Sequence, residues 1–393
     1  MKHVSRPVRS QERFLVFGQP CIEQADIDEV VDSMQARWLG TGPKVSRFEE
    51  LVRQYKGVAH AVAVNSCTAG MHLACIALGL GPGDEVIAPA LTFCSTVNVI
   101  IHSGATPVLA DVDPVSMNVD PQSIVERITE RTRAIMVVHL AGRPCDMDAI
   151  MQIAEEHNLH VIEDCAHAVE TETHGQKAGT IGAIGVLSFY ATKNITTGEG
   201  GMVLTRSAEL ADRIKQLCLH GLSADAWKRY SDSGYKHYYV VEAGYKYNMM
   251  DLQAAIGLRQ FERLERYAQR RQQIWQRYLE ALASTPLVLP APDEPDTRHA
   301  RHLFTVLVDE EKCGLSRDEF LSLMTEHHIG VGVHFLAIPE HPYYQHTFGW
   351  RPAQWPNAMR IGRQTVSLPL SGCLDDDDVE DVIHAVTDVL CAS

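Results

Sequence analysis

A chain of 393 residues with 45% hydrophobic composition is long enough for about two domains of roughly 150 residues each, and its formal net charge of −15 argues against a nucleic-acid partner. No apolar run approaches the roughly 20 residues that span a bilayer, and the polar start MKHVSRPVRSQER lacks the apolar centre of a secretory signal, so a cytoplasmic protein with no membrane partner is expected. The ten cysteines contain no C-x-x-C pair and the 19 histidines no regular ligand spacing, so the thiols read as small buried hydrophobes in a reducing compartment and no metal is expected.

From about residue 58 to 205 short β-rich runs alternate with helical stretches. HAVAVNS leads into TAGMHLACIALGL, DEVIAPA into TFCSTVNVIIHSG, TPVLADV into PQSIVERITE, and RAIMVVH into DMDAIMQIAEEHN; LHVIED follows. Such alternation predicts crossover connections and a mostly parallel sheet covered on both faces. The near-continuous apolar runs VIAPA, AIMVVH and HVIED fit strands buried on both sides. After LSFYATKN come GMVLT, a helix near 208–220, a tyrosine-rich polar loop over 227–247, and one long amphipathic helix over 250–283. LPAPDEPD, HLFTVLVD, a helix near 317–327, IGVGVHF and a terminal helix opened by DDDD make a small α+β domain. The expected division is 1–255 for a large domain with the N-terminal segment and 256–393 for the small one.

Ligands of parallel sheets collect at the carboxyl ends of the strands, and three polar stretches fall there. NSCTAG, from Asn65 to Gly70, leaves a strand and opens a helix, so its free N–H groups and the positive helix end can hold an anion or simply cap the helix. In VIEDCAHA, Asp164 ends a buried apolar run, where an ionised carboxylate needs a cation; His167 follows it. In SFYATKNITTGEGG, Lys193 follows Ser188, and Gly198, Gly200 and Gly201 permit tight turning. An enclosed lysine loses its charge more readily and can form a Schiff base with an aldehyde. A phosphate, an aldehyde and a ring nitrogen that seeks a carboxylate together describe pyridoxal 5'-phosphate.

With GDEVIAPALTFCSTVN, GATPVLADVD, HGL, GYKYNMMDLQAAIGL and GVGVHF in the same order, these motifs resemble the DegT/DnrJ/EryC1/StrS family of nucleotide-sugar aminotransferases from about Phe17 almost to the C terminus. The resemblance implies a fold-type I, aspartate-aminotransferase-like large domain with a smaller C-terminal domain, in a homodimer with shared active sites. Lys193 would bind the cofactor and shuttle the proton, Asp164 would pair with the pyridinium nitrogen, and His167 would lie near the phenolic oxygen. Ala166 would sit beneath the ring and Phe93 stack above it; Thr68, Ala69 and Ser188 would hold the phosphate, with Asn248 reaching it from the other subunit. Gly70 stands where an alanine is frequent.

GYKYN and KNIT look closest to members that aminate C4 of a UDP-linked 4-keto sugar, with L-glutamate as donor and 2-oxoglutarate as product. Lys246, Arg229 and His334 are the expected pyrophosphate contacts, and Tyr343 and Tyr344 either stack on a base or pack locally. A sugar 3-dehydratase, which the resemblance implies would carry histidine in place of Lys193, and a regulatory protein that binds the cofactor without turnover are the alternatives.

Overall fold

The computed structural model describes residues 7–223 and 237–391. The strands are β1 (His60–Val64), β2 (Glu85–Pro89), β3 (Thr106–Ala110), β4 (Thr132–Val138), β5 (His160–Cys165), β6 (Glu172–Thr173), β7 (Gln176–Lys177), β8 (Ile184–Ser188), β9 (Gly201–Thr205), β10 (Thr297–Arg298), β11 (Phe304–Leu307) and β12 (Thr365–Leu368). Helices α1 (Gln24–Gln35), α2 (Pro43–Lys56), α3 (Cys67–Ala77), α4 (Cys94–His102), α5 (Pro121–Val125), α6 (Met147–His157) and α7 (Ala208–Cys218) accompany the main sheet. They are followed by α8 (Asp251–Glu262), α9 (Leu264–Leu282), α10 (Glu310–Cys313), α11 (Arg317–Glu326), α12 (Pro342–Phe348), α13 (Pro356–Gln364) and α14 (Asp376–Cys391).

The main sheet runs β1-β9-β8-β5-β4-β2-β3. Pairs β2/β3, β2/β4, β4/β5 and β5/β8 are parallel, as the strand-helix alternation predicts, and every residue of β2, β8 and β9 is buried. Strand β9 departs from that pattern by running antiparallel to both β8 and β1. Its connection from β8 is the loop 189–200 instead of a crossover helix, so Lys193 lies in a hairpin-like return.

A second core packs α9, α11 and α14 around the β11/β12 ribbon, and it recruits Leu15 from the N-terminal segment. Its α14 begins with Asp376, Asp377 and Asp378 in the first turn, the end of a helix dipole that favours acids. The helix expected over 250–283 is two: Arg263 leaves helical geometry at φ −103° and ψ 1°, and its guanidinium reaches buried Asp26 of α1 at 2.7 Å. PQSIVERITE is helical only over α5. The small-domain side touches the large sheet directly, where Ile338 N–H donates to Ala90 O at 2.8 Å. Tyr344 is buried and donates to Asn98 Oδ1 at 2.7 Å, so it packs locally, whereas Tyr343 is exposed.

One feature corrects the sequence reading, and a second was not anticipated by it. Cys21 and Cys373 form a disulfide across 352 residues, so these two cysteines are not free hydrophobes; Cys67, Cys75, Cys145, Cys165, Cys218 and Cys313 are buried free thiols, and Cys391 is exposed. Helix α1 turns its polar side inward. Asp26, Glu29 and Ser33 are buried against α8, while Ile27, Val31 and Met34 are 48%, 43% and 60% exposed.

Candidate active site

The carboxyl ends of β1, β5 and β8 meet, and each brings one of the three polar stretches. Ser66 caps α3 by accepting from Ala69 N–H at 3.0 Å, which leaves the first-turn N–H groups of Cys67 and Thr68 outside the helical ladder. Thr68 is exposed and Ala69 buried. Gly201, opposite Ser188 in the β8/β9 ladder, closes on this turn: a Cβ there would stand 2.7 Å from Cys67 N. A Cβ at Gly70 would stand 2.6 Å from Val186, so a residue without a side chain suits the local packing.

Asp164 ends β5 with its side chain buried. Oδ2 accepts from Thr96 Oγ1 at 2.9 Å and Oδ1 from Ala166 N–H at 3.0 Å, with Cys67 Sγ at 3.9 Å. Burial drives its pKa above the ordinary value; these donors and the nearby Lys193 charge oppose that without cancelling it. Among the described residues no salt bridge reaches this carboxylate, and the Lys193 charge acts on it only from a distance. Lys193 is half-buried, its N–H donating to Tyr190 O at 2.9 Å, and burial lowers its amine to about 8 against the weaker pull of Cys67 and Asp164.

Rings complete the surroundings. His167 Nδ1 accepts from Ala141 N–H at 3.1 Å, and its ring stacks on Phe335 at 5.9 Å; Phe335 in turn lies 5.6 Å from the exposed Phe93. His334 packs 6.5 Å from His167 and bonds Ser367 Oγ at 3.0 Å. Burial, with Lys193 beside them, holds His167, His302 and His334 below the ordinary histidine range, His334 at about 4. Lys193 therefore stands among neutral imidazoles.

The structure thus brings together Lys193, Asp164, Ala166, His167, Phe93, Ser188, the Thr68–Ala69 turn and His334. Among the described residues no hydrogen bond joins Lys246 or Asn248 to Lys193. Lys246 is exposed, with its carbonyl accepting from Asn65 Nδ2 at 3.3 Å; Asn248 donates to Thr41 Oγ1 at 2.7 Å and keeps a buried, unpartnered Oδ1. Arg229 lies outside the described residues. The sequence reading missed Asn194, His302 and Phe335; the quoted runs HLFTVLVD and IGVGVHF contain the latter two, without any spacing that marks them.

A buried trio, His139, Glu163 and Cys165, lies close enough to hold a metal. Two of its three donors are already engaged: His139 Nε2 meets Glu163 at 3.1 Å, and Glu163 also accepts from the N–H groups of Gly179, Ile181 and Gly182.

The residues fit pyridoxal phosphate on structural grounds: an open helix turn for a phosphate, an enclosed amine of lowered pKa for an aldehyde, and a buried carboxylate short of a cation for a ring nitrogen. The model of the DegT/DnrJ/EryC1/StrS aminotransferase family matches residues 20–387. The spore coat polysaccharide biosynthesis protein SpsC of Bacillus subtilis is 48% identical over 98% of this chain and 99% of its own. Spr1654 of Streptococcus pneumoniae, described as a sugar aminotransferase and solved in its PMP form, superposes with a TM-score of 0.90 at 32% identity, covering 96% of this chain and 99% of its own. DesI, solved in the presence of its TDP-sugar product, superposes at 0.86 with 32% identity over 98% of this chain and 94% of its own. A match over nearly the whole chain, onto residues that already suit the cofactor, places this protein in the DegT/DnrJ/EryC1/StrS aminotransferase family as a pyridoxal-phosphate-dependent sugar aminotransferase.

Proposed function

We propose that the enzyme moves the amino group of L-glutamate to a nucleotide-linked keto sugar, a UDP-linked 4-keto hexose or pentose, for a cell-surface polysaccharide. It works in the cytoplasm as a homodimer whose subunits share their active sites. The observation that carries the reaction is Lys193, an enclosed amine at about 8 that is partly uncharged near neutral pH and stands by Asp164. Pyridoxal phosphate, when bound, supplies an aldehyde that captures amines and a ring that absorbs the electron pair of a broken C–H bond.

The chain's own residues supply the rest. Asp164 offers the anion that keeps a ring nitrogen protonated, while Ser188 and the Thr68–Ala69 turn hold the phosphate. Phe93 and Ala166 would flank the bound ring, and His167, whose Nδ1 accepts from Ala141 N–H, would offer Nε2–H to its phenolic oxygen. Lys193 Nζ is the base that takes a proton from the donor's α-carbon and returns one to the sugar's former carbonyl carbon, so one amine serves both halves. Its presence favours transamination over dehydration.

The name of the B. subtilis relative supports the polysaccharide reading, and the TDP-sugar of DesI supports a nucleotide-linked substrate. The outward apolar face of α1, with Trp38 and Leu39 also exposed, supports a second copy. Asn248 and Lys246 would then reach the partner's ligand, with His334 contributing from this chain.

The protein loaded with pyridoxal phosphate is expected to lose its visible band on adding L-glutamate, releasing 2-oxoglutarate. A panel of UDP-, GDP- and dTDP-linked 3-keto and 4-keto sugars should then regain it, fastest with a UDP-4-keto sugar. No response to glutamate sinks the donor assignment, and a product without nitrogen points to dehydration.

A further inference from the structure

Behind Lys193 runs a buried chain of polar groups that the reaction as described leaves unused. Arg271 of α9 pairs with Glu170, both fully enclosed. Glu170 Oε2 accepts from Asn194 Nδ2 at 2.8 Å, and the same Nδ2 donates to Ala300 O at 3.0 Å. Two acceptors around Nδ2 fix the orientation of the Asn194 amide, since its oxygen could satisfy neither. Asn194 Oδ1 therefore faces His302 Nδ1, at 2.9 Å, and can only accept. His302 carries its proton on Nδ1, and its Nε2 is a bare lone pair.

His167 is fixed the opposite way. Its Nδ1 accepts from Ala141 N–H, so the proton sits on Nε2, and its ring lies 4.4 Å from that of His302. One turn fixes the His167 assignment and also holds the backbone of His302. Ala141 adopts φ +57°, a left-handed conformation that costs a non-glycine residue about 1 kcal/mol. That turn directs Ala141 N–H to the His167 ring and Ala141 O to the backbone N–H of His302 at 3.0 Å. A strained residue so clamped on both sides points to a geometry that must be held.

We infer that His302 is a positioning residue: locked as the Nδ1–H tautomer by Asn194, it fixes the residue that follows Lys193 and backs the His167 ring, so that both face the cofactor in one arrangement. This rests on Lys193 and His167 being the residues that meet the cofactor.

Side-chain nitrogen NMR of the cofactor-free full chain reads the tautomer directly. A neutral His302 protonated on Nδ1 at neutral pH is expected, and an Nε2–H form or an imidazolium overturns the inference. His302→Asn keeps an N–H donor in the place of Nδ1, whereas His302→Phe keeps the ring and loses the donor.

In the loaded enzyme His302→Phe and Asn194→Ala should each lower kcat of both half-reactions about 10- to 100-fold with little change in KM, as expected when reacting groups are misplaced. His302→Asn, which keeps the donor but gives up the ring, should lose clearly less than His302→Phe, and the double variant Asn194→Ala with His302→Phe should be no worse than either alone. Equal losses in His302→Asn and His302→Phe, multiplying losses in the double variant, or no loss at all would each overturn it. Lys193→Ala separates the two readings: turnover surviving there removes the lysine assignment, while the His302 tautomer still stands or falls by its own spectrum.

Discussion

Glu163 and Asp164 are neighbours on β5 with side chains on opposite faces of the sheet, both buried, and they have been treated in opposite ways. Glu163 accepts from His139 Nε2 and three backbone N–H groups. Burial pushes its pKa up, but His139 and the N–H groups of Gly179 and Gly182 outweigh that and hold it below the ordinary value. Asp164 receives a hydroxyl, one N–H and a distant thiol, and burial wins. A carboxylate that serves the fold is saturated by the chain itself; one that serves a ligand is left incomplete, because the ligand supplies the missing charge.

Substitutions can break this contrast. The largest effect is expected beside Asp164: Lys193→Ala should reduce both half-reactions on the order of 10³- to 10⁴-fold, measured in single turnovers of loaded protein. Asp164→Asn should lower amine transfer about 10²- to 10³-fold, yet leave the cofactor-free fold as stable as the parent or more so, by urea denaturation. Glu163→Gln should do the reverse, costing about 1–3 kcal/mol of stability by leaving bonded partners mismatched.

Acid titration sharpens the same contrast. Because the folded pKa of Glu163 is lowered, its contribution is present above the unfolded value of about 4.5 and is lost as pH falls through the folded one. Asp164, with a raised folded pKa, contributes below about 3.8 and loses that as pH rises through the folded value. Unfolding midpoints in the acid range should thus show Glu163→Gln and Asp164→Asn changing the pH slope in opposite senses.

The smallest effect concerns Lys193. Its lowered folded pKa means the unfolded chain holds the proton longer, so the cofactor-free protein should gain stability from about pH 8 towards 10.5. The rate of loading with pyridoxal phosphate should rise through about pH 8 and level off above it. A rate still climbing at pH 10 would contradict an enclosed amine.

Much of this was readable in advance because apolar runs mark strands buried on both faces, and polar residues at their ends mark where ligands gather. VIEDCAHA located Asp164 without any contact known. What the sequence hid depends on tertiary pairing. His302 gains meaning through Asn194 and Glu170, both more than 100 residues away in the chain. The antiparallel sense of β9 rests on a ladder that GMVLT alone does not specify. Helix α1 misleads in another way, since its amphipathic pattern shows a polar and an apolar side but not that the polar side faces inward, where Arg259, Arg263 and Lys44 receive Glu29 and Asp26. The break at Arg263 belongs to the same packing.

The antiparallel return of β9 has a consequence for inheritance as well as geometry. Ser188 and Gly201 face each other across the ladder, so the residues between them form a closed insert whose two ends are tied. A one-residue slip of β9 would exchange its two buried faces and carry Gly201 away from the helix turn it closes upon. Insertions between Ser188 and Lys193 would shift Lys193 along the return and away from Asp164. The loop is therefore expected to tolerate changes of side chain while resisting changes of length, and a library varying both would show that asymmetry.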